Sequence, residues 1–352
     1  MGKSRLLLGL ALAGVATAAC GSSAPASSAS ATTTTAATSS SKPLTHITMV
    51  EAVSAPAYAP VTVANAAGFF KKNGLSVTVI PLQAGSTAAQ ALVGGSAQFD
   101  AGVASDVLLA DSKGVNLISI AALTNSINLD IEVSKSFAQS KGLTSSESLN
   151  ARLLALKGAK IGITAPGSIT DLAVRFMLGS VGLKPVVDYH EVAIGSPASN
   201  LAALKGGEIQ ATIFDPAFSK MASQEGVGVL GVKATEIPTL KDAAFGQVIT
   251  SAAYAAANPT IVKEVATAFA ETNNFIVNDS SKAMPYIDKL YSAISPSILA
   301  YAIPQYNFAA NAATTATAWK NVAQVFVQNG DLTPSQAQKV ETKFTNQYLP
   351  KS

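Results

Sequence analysis

One order of secondary-structure elements occurs twice along this 352-residue chain. A strand, a loop, a helix, a second strand, a Gly-Ser turn, a second helix and a third strand follow residue 47, and the same order begins again at residue 160. The turns are Gly85-Ser86 and Gly195-Ser196, and each following helix stops at a Gly-Gly pair. Such turns are common singly, but the repeated order favours two similar α/β lobes over coincidence.

The pattern places the individual elements as follows. Runs rich in β-branched residues predict strands, and apolar residues at helical spacing predict helices between them. In the first copy the strands are residues 47–53, 75–82 and 98–103, with helices at 58–72 and from 85 to the Gly-Gly pair at 94–95. In the second copy the strands are residues 160–164, 189–193 and 209–214, with helices at 168–178 and from 195 to the pair at 206–207.

The N-terminus has the order of a secretory signal. Lys3 and Arg5 precede an apolar run too short for a resident membrane helix, and small residues then lead to Cys20. Cleavage after residue 19 would leave Cys20, the only cysteine, without an internal disulfide partner. Its position resembles that of the acylated cysteine of bacterial lipoproteins, although Thr17 stands where leucine is usual. The alternatives are an unpaired thiol or an ordinary signal peptide with an incidental cysteine.

A tether is predicted at residues 20–43. Its sequence is nearly all Ser, Ala and Thr, which cannot bury enough apolar surface to offset the entropy of ordering. As a flexible coil it would reach about 25 Å. We therefore expect a lipid anchor, a disordered tether and a folded body on the extracytoplasmic side of the membrane.

Composition limits the function classes. Roughly 310 residues remain after the tether, which suits two lobes. The formal charge is only +3 and the only arginines are Arg5, Arg152 and Arg175, so no basic patch predicts nucleic-acid binding. Two histidines, His46 and His190, and one cysteine make a structural metal unlikely, and we expect no cofactor.

Two stretches carry a family resemblance. The segment GFFKKNGLSVTVIPLQAGSTAAQALVGGSAQFDAGVAS resembles the first lobe of SsuA/TauA-like substrate-binding proteins, and LKGAKIGITAPGSITDLAVRFMLGSVGLKPVVDYHEV resembles their second lobe. That family serves importers of sulfonates, taurine, nitrate and thiamine-pyrimidine precursors. The resemblance implies a type II periplasmic-binding-protein fold in the α/β class, with mainly parallel sheets flanked by helices. It also implies two crossings between lobes, placed at residues 124–126 and 245–247.

These crossings predict the domain boundaries. Residues 44–125 and 247–352 would form lobe 1, and residues 126–246 would form lobe 2. A ligand would then lie in the cleft at the carboxyl ends of the strands, where helices begin. The loop residues that directly follow strands are the candidate contacts: Glu51, Ser54, Tyr58, Gly85, Ser86, Ala104 and Ser105 in lobe 1, and Gly167, Ser168, Ile169, Thr170, Ser196 and Asp215 in lobe 2.

Several candidates have a structural alternative. Ser168 with Asp171 fits a capping box, so its hydroxyl can serve the helix instead of a ligand. Gly85-Ser86 can be a plain turn and helix cap. Tyr58 can pack on a helix face or stack on a flat ligand.

Asp215 and Glu51 are the charged candidates. Each ends or nearly ends a predicted buried strand, and each would favour an amine or a ring N–H donor, unless it is solvated or paired with a lysine. No arginine lies in a predicted cleft loop to clamp a sulfonate or carboxylate, and Arg175 lies more than one turn into its helix. Zwitterions such as taurine and neutral nitrogen heterocycles remain equally plausible solutes.

The resulting hypothesis is a monomeric solute-binding lipoprotein that delivers a small molecule to the permease and ATPase subunits of an ABC importer. An enzyme on the same fold is disfavoured because no spare cysteine and no histidine lies near a cleft loop to act beside Glu51 and Asp215. A ligand-sensing surface lipoprotein remains the alternative.

Overall fold

A computed structural model describes residues 43–51, 55–82 and 85–351. The predicted signal, Cys20, the tether up to residue 42 and the candidate Ser54 lie outside the described residues. Residues from Lys42 to Ser352 form one compact unit, which contains both sheets described below.

The first sheet has five strands in the order β2-β1-β3-β10-β4. Alternation of apolar side chains and β-branched residues produces these strands. The first strand pairs in parallel with its two neighbours, whereas the last strand of the chain runs antiparallel between the third and fourth. The bounds are β1 Thr45–Glu51, β2 Leu75–Pro81, β3 Phe99–Val103, β4 Leu117–Ala122 and β10 Gly246–Ser251.

The second sheet repeats this arrangement in the order β7-β6-β8-β5-β9. Three strands are again parallel, and an antiparallel strand again lies beside the third of them. The bounds are β5 Asp130–Ser134, β6 Lys160–Ile163, β7 His190–Ala193, β8 Ala211–Phe214 and β9 Gly228–Lys233. The predicted α/β class with two similar lobes is confirmed.

Helices cover both sheets. Those of the first lobe are α1 Ala59–Ala66, α2 Phe69–Lys72, α3 Gly85–Val93 and α4 Ala104–Ser112. Those of the second are α5 Lys135–Ser140, α6 Leu149–Leu154, α7 Ile169–Gly179, α8 Pro197–Gly206, α9 Pro216–Gln224 and α10 Pro238–Lys241. The C-terminal helices are α11 Ala252–Ala257, α12 Pro259–Asn278, α13 Ser280–Leu290, α14 Pro296–Ala302, α15 Ala316–Asn329 and α16 Pro334–Ala337.

The prediction of one helix over residues 58–72 was wrong. Gly68 has φ 82°, in the left-handed region that glycine occupies without a steric penalty, and it separates α1 from α2. Tyr58 itself lies in a short 3₁₀ turn, Pro56–Tyr58, before α1.

Two segments, residues 123–129 and 234–245, connect the sheets. They are bonded to each other, since the Ile127 N–H donates to the Leu240 carbonyl at 2.9 Å and the Phe245 N–H to the Thr124 carbonyl at 3.2 Å. The first segment leaves the carboxyl end of β4 and enters β5 at Asp130, beside the carboxyl end of β8. The carboxyl edges of the two sheets therefore face the same crossings, and we propose the division between lobes there.

The C-terminal region contacts both lobes. Helix α12 packs on α1 and α2 of the first lobe, whereas α14 packs on α9 and α15 packs on α7 of the second. Trp319 on α15 is fully buried in the largest apolar core, which includes residues of both sheets. Among the described residues, no helix combines the length and apolar character needed to cross a bilayer.

Candidate functional site

Glu51 is the last residue of β1 and lies at the carboxyl edge of the first sheet. It is only 2% exposed, and its Oε1 has no hydrogen-bond partner among the described residues. Burial raises the pKa of Glu51 to about 8, because the low-dielectric surroundings disfavour the charged form. The predicted strand-end carboxyl group is therefore buried and not paired with a lysine in the described structure.

Asp100 of β3 and Asp106 of α4 form a second acidic pair, on the other face of the sheet from Glu51, because Asp100 pairs with Val50 and Glu51 pairs with Ala101. A Cβ placed on Gly102 would lie 3.0 Å from Asp106 Oδ2 and still closer to Asp100 Oδ2, so the two carboxyl groups converge above this glycine. Burial raises the pKa of Asp106 to about 6, opposed by the Val103 N–H that donates to Oδ2 at 3.1 Å. Burial and the neighbouring Asp106 raise the pKa of Asp100 well above its ordinary range. Neither oxygen of Asp100 has a hydrogen-bond partner within the described part of the chain.

Two tyrosines lie near these acids. Tyr58 is buried, and its pKa is raised by burial and then by the charges of Asp106, Asp100 and Glu51. Its ring packs in the first-lobe core, which supports the packing alternative for this residue.

Tyr291 follows α13 and donates its hydroxyl to the Ala55 carbonyl at 3.0 Å. Burial raises its pKa, and the charges of Glu51 and Asp215 raise it further. The charges of acids from both lobes therefore act on this hydroxyl.

Asp215 caps the second-lobe helix α9. Its Oδ1 accepts the Phe218 N–H at 3.0 Å, and burial raises its pKa while this N–H opposes the shift. Burial raises the pKa of the Tyr306 hydroxyl, and the charge of Asp215 raises it further. In the adjacent strand, Asp130 has a pKa of about 7, raised by burial and lowered by Lys233. Asp215 therefore has a capping role and a position at the cleft.

The loop after β6 is hydrogen-bonded mainly to itself. The Ser168 hydroxyl accepts the Asp171 N–H at 3.4 Å, which confirms the capping interpretation. Thr170 Oγ1 accepts the Thr164 N–H at 2.9 Å, so this hydroxyl is engaged within the loop. Gly167, with φ 75°, donates its N–H to Asp171 Oδ2 at 2.6 Å. Ile169 is half-buried against the core.

Other candidates begin helices. Ser196 caps α8 by accepting the Ser199 N–H at 3.2 Å, and Gly85-Ser86 forms the first turn of α3. Ser105 is buried in the first turn of α4. The Ala104 N–H donates to the Phe245 carbonyl at 2.9 Å, so it is not free to bind a solute.

Arg175 is not a solute ligand in this arrangement. Its Nε donates to Asp171 Oδ1 at 2.7 Å, and its Nη2 donates to Asp331 Oδ2 at 2.9 Å. Arg175 therefore links Asp171 to Asp331 in the segment after α15. Asp171 in turn accepts the Gly167 N–H.

A cavity of about 460 Å³ lies between the lobes at one side of this site. Asp106 and Leu109 of α4 line it from the first lobe and Gly167 from the second, with Gln90, Val93, Gly94, Ala110, Lys113 and Val115 completing the wall. A cavity of this size suits a small solute.

The sequence interpretation missed Asp100, Asp106, Asp130, Tyr291 and Tyr306. Asp100 stood inside a predicted buried strand, and an ionisable residue at such a position was the available signal. In the part of the chain that the structure describes, no three His, Cys, Asp or Glu side chains are placed to hold a metal ion.

Comparison with known proteins gives matches across the folded body. The model of the NMT1-like family matches residues 45–285. The bicarbonate transport ATP-binding protein CmpC of Synechocystis sp. is 28% identical over 178 residues, which are 49% of this chain and 26% of that protein. The chain thus spans about a quarter of the length of this curated relative.

Three solved structures share the fold. A protein from Bordetella bronchiseptica RB50 has a TM-score of 0.73 and 25% identity, with 86% of this chain and 95% of that chain covered. The periplasmic nitrate-binding protein NrtA from Synechocystis PCC 6803 has a TM-score of 0.69 and 16% identity, with 87% of each chain covered. The alkanesulfonate-binding protein SsuA from Xanthomonas axonopodis pv. citri, bound to MOPS, has a TM-score of 0.68 and 16% identity, with 87% and 99% covered.

Two α/β lobes that meet at their carboxyl edges define the class of two-lobed periplasmic binding proteins, and the resemblance to SsuA-like proteins is confirmed. The chain belongs to the NMT1-like family.

Proposed function

We propose that this protein is an extracytoplasmic solute-binding lipoprotein of an ABC importer. The observation that carries the proposal is the meeting of the two carboxyl edges at the double crossing, with a cavity of about 460 Å³ between the lobes. Rotation of one lobe against the other about such crossings can open and close a cleft around a solute.

The start of each helix supports solute capture. Helices α3, α4, α7 and α9 begin at the carboxyl edges, where the positive end of each helix dipole can favour an accepting group. NrtA is a nitrate-binding protein, SsuA an alkanesulfonate-binding protein and CmpC a bicarbonate transport protein, and these relatives favour an import role for this chain.

The proposal includes the membrane and protein partners. An acylated Cys20 would hold the protein at the outer face of the cell membrane, and the tether would let the folded body reach a permease and its ATPase. We expect the protein to act as a monomer and to have no enzymatic activity.

The solute is proposed to be taurine-like or a nitrogen heterocycle. Glu51 and Asp215 approach the cleft from opposite lobes, and Arg175, the only arginine of the described residues close to a cleft loop, is engaged by two aspartates. An anion that requires a bidentate arginine clamp is therefore disfavoured.

Native mass spectrometry tests the proposal on protein that begins after Cys20. We expect a co-purified small molecule, and deletion of the gene should abolish uptake of that molecule while uptake of unrelated solutes continues. Uptake at the wild-type rate with a solute still bound would favour the sensing alternative. A protein that binds no small molecule would contradict both.

A further inference from the structure

The second lobe holds one loop of its cleft edge through a series of charged side chains. The Gly167 N–H donates to Asp171 Oδ2 at 2.6 Å, and Arg175 Nε donates to Asp171 Oδ1 at 2.7 Å. Arg175 Nη2 also donates to Asp331 Oδ2 at 2.9 Å. The three side chains of Asp171, Arg175 and Asp331 are named the Arg175 bridge here. It connects the cavity wall at Gly167 to the segment that follows α15.

The bond to Gly167 differs from an ordinary capping box. In such a box the acidic residue at the third helical position accepts the N–H of the cap residue itself. Here the Ser168 N–H donates to the Ala165 carbonyl at 3.1 Å, and Asp171 accepts from the preceding residue, Gly167, instead. Gly167 has φ 75°, in the left-handed region that glycine occupies without a steric penalty. The Asp171 carboxyl group therefore holds the loop at the cavity as well as the end of the helix.

Arginine is suited to join two carboxyl groups. Its guanidinium is planar and carries donors on several sides, so Nε serves Asp171 while Nη2 serves Asp331. Asp171 is only 6% exposed, and hydrogen bonds between charged groups are stronger where water is excluded. A lysine has a single nitrogen on a flexible stem and could not hold both aspartates in the same fixed geometry.

A third acid near Arg175 does not compete for it at neutral pH. Burial raises the pKa of Glu191 to about 8, and the charge of Asp171 raises it further while Arg175 opposes the shift. Glu191 is therefore mostly protonated at pH 7. Within the described residues the ion pairs of Arg175 are those with Asp171 and Asp331.

The far end of the Arg175 bridge belongs to a region that contacts both lobes. Asp331 follows α15, which packs on α7 of the second lobe and on α4 of the first. Two further side chains bind α15 to α7, since Gln328 Nε2 donates to the Phe176 carbonyl at 3.0 Å and Asn329 Nδ2 to the Leu172 carbonyl at 2.9 Å. These bonds would keep α15 docked if Asp331 were replaced, so the role of the bridge can be separated from that of the docking.

We propose that the Arg175 bridge positions the cavity wall for solute binding, with Arg175 and Asp331 as positioning residues that no solute touches. The inference rests on the proposed solute-binding function. Gly167 lines the cavity of about 460 Å³ together with Asp106 and Leu109 of the first lobe. A shift of the Gly167 loop therefore changes the wall that the second lobe presents to a solute.

The Gly167 amide tests the bridge without any solute. Because its N–H donates to a carboxylate at 2.6 Å, its proton resonance should lie strongly downfield in the NMR spectrum of ¹⁵N-labelled protein that begins after Cys20. Asp331→Ala should move this resonance upfield, since Asp171 is then held less firmly. Asp331→Glu retains a carboxyl group for Arg175 and should return the resonance towards its wild-type position.

Gln328→Ala is the matched control, because it removes one bond between α15 and α7 and leaves the Arg175 bridge intact. It should not move the Gly167 resonance. No shift in Asp331→Ala, or an equal shift in Gln328→Ala, would overturn the inference. Melting temperatures show whether both variants are folded.

Solute affinity tests the functional part. Taurine and cytosine, one probe for each proposed solute class, are titrated calorimetrically into the wild type and the three variants. Asp331→Ala should weaken binding of the accepted probe about three- to tenfold, and Asp331→Glu and Gln328→Ala should bind it as the wild type does. Wild-type affinity in Asp331→Ala despite a shifted Gly167 resonance would overturn the positioning role. Binding of neither probe by the wild type would instead contradict the proposed solute classes, and the Gly167 resonance would still decide whether the bridge holds the loop.

Discussion

The two lobes share one fold but differ in the hydrogen bonding of a buried polar residue on the equivalent strand. In the second lobe the Thr212 hydroxyl of β8 lies 3.0 Å from the Gly162 carbonyl and 2.9 Å from Asn200 Oδ1, and its one hydrogen can be donated to either oxygen. In the first lobe Asp100 of β3 is equally buried and has two oxygens without a partner among the described residues. The second lobe therefore satisfies this position, whereas the first leaves it available.

The difference has a structural consequence at the turns. Asn200 also donates to the Ser196 carbonyl at 3.1 Å, so the buried network fixes the Gly195-Ser196 turn at the cleft. The acidic side of the first lobe has no such network around Asp100 within the described residues. One lobe thus fixes its turn through a satisfied buried network, whereas the other keeps a buried carboxyl group outside such a network.

The largest expected effect comes from breaking the satisfied network. Asn200→Ala removes three hydrogen bonds at a fully buried position and should lower the free energy of unfolding by about 3 kcal/mol. Asn321→Ala is the control, because its side chain donates one bond, to the Asp242 carbonyl at 2.9 Å, and should cost less than about 1 kcal/mol. Denaturant titration measures both. Asp100→Asn should not destabilise the protein at pH 7, and an equal loss in that variant would remove the contrast between lobes.

The next effect concerns pH. Glu51 has a folded pKa of about 8 against an ordinary value of 4.5, so the folded protein holds this proton more tightly than the unfolded chain. The contribution of Glu51 to stability is therefore fully present below pH 4.5 and is lost as the pH rises through about 8. In ligand-free protein, Glu51→Gln should reduce the loss of stability between pH 5 and pH 8 by roughly 3 kcal/mol.

The pH series needs a matched comparison. Glu147→Gln changes an exposed carboxyl group and should reproduce the wild-type curve. The free energy of unfolding of Glu51→Gln should still fall somewhat as the pH rises, because burial also raises the pKa of Glu132 to about 8. Identical curves for the wild type and Glu51→Gln would show that Glu51 is ionised and compensated in the folded protein.

The smallest effect tests the loop after β6. Ser168→Ala removes a helix cap and should lower the free energy of unfolding by about 1 kcal/mol. Solute affinity should change little, since this hydroxyl is already bonded to the Asp171 N–H and lies 2.7 Å from Thr170 Oγ1. Calorimetric titration with the solute measures the affinity of the variant and of the wild type. A large loss of affinity without a loss of stability would assign Ser168 to solute binding after all.

The sequence predicts the helices and strands and their order, because the spacing of apolar residues and the residue types at turns are local properties of the chain. Strand ends such as Glu51 and Asp215 could be proposed for the same reason. The convergence of Asp100 and Asp106 could not, since it depends on which face of β3 meets α4. The use of the Ala104 N–H by Phe245 was also hidden, because that carbonyl belongs to a crossing segment far along the chain. The break at Gly68 required a positive φ that the helical spacing did not reveal.

Helix α15 determines how the lobes can move. It packs on α7 of the second lobe and on α4 of the first, and Asn329 donates to the Leu172 carbonyl at 2.9 Å. An opening that preserves these contacts must rotate about an axis that passes close to α15, because points near the axis are displaced least. The far side of the cleft then opens widest, and under the proposed function a solute would be exchanged there.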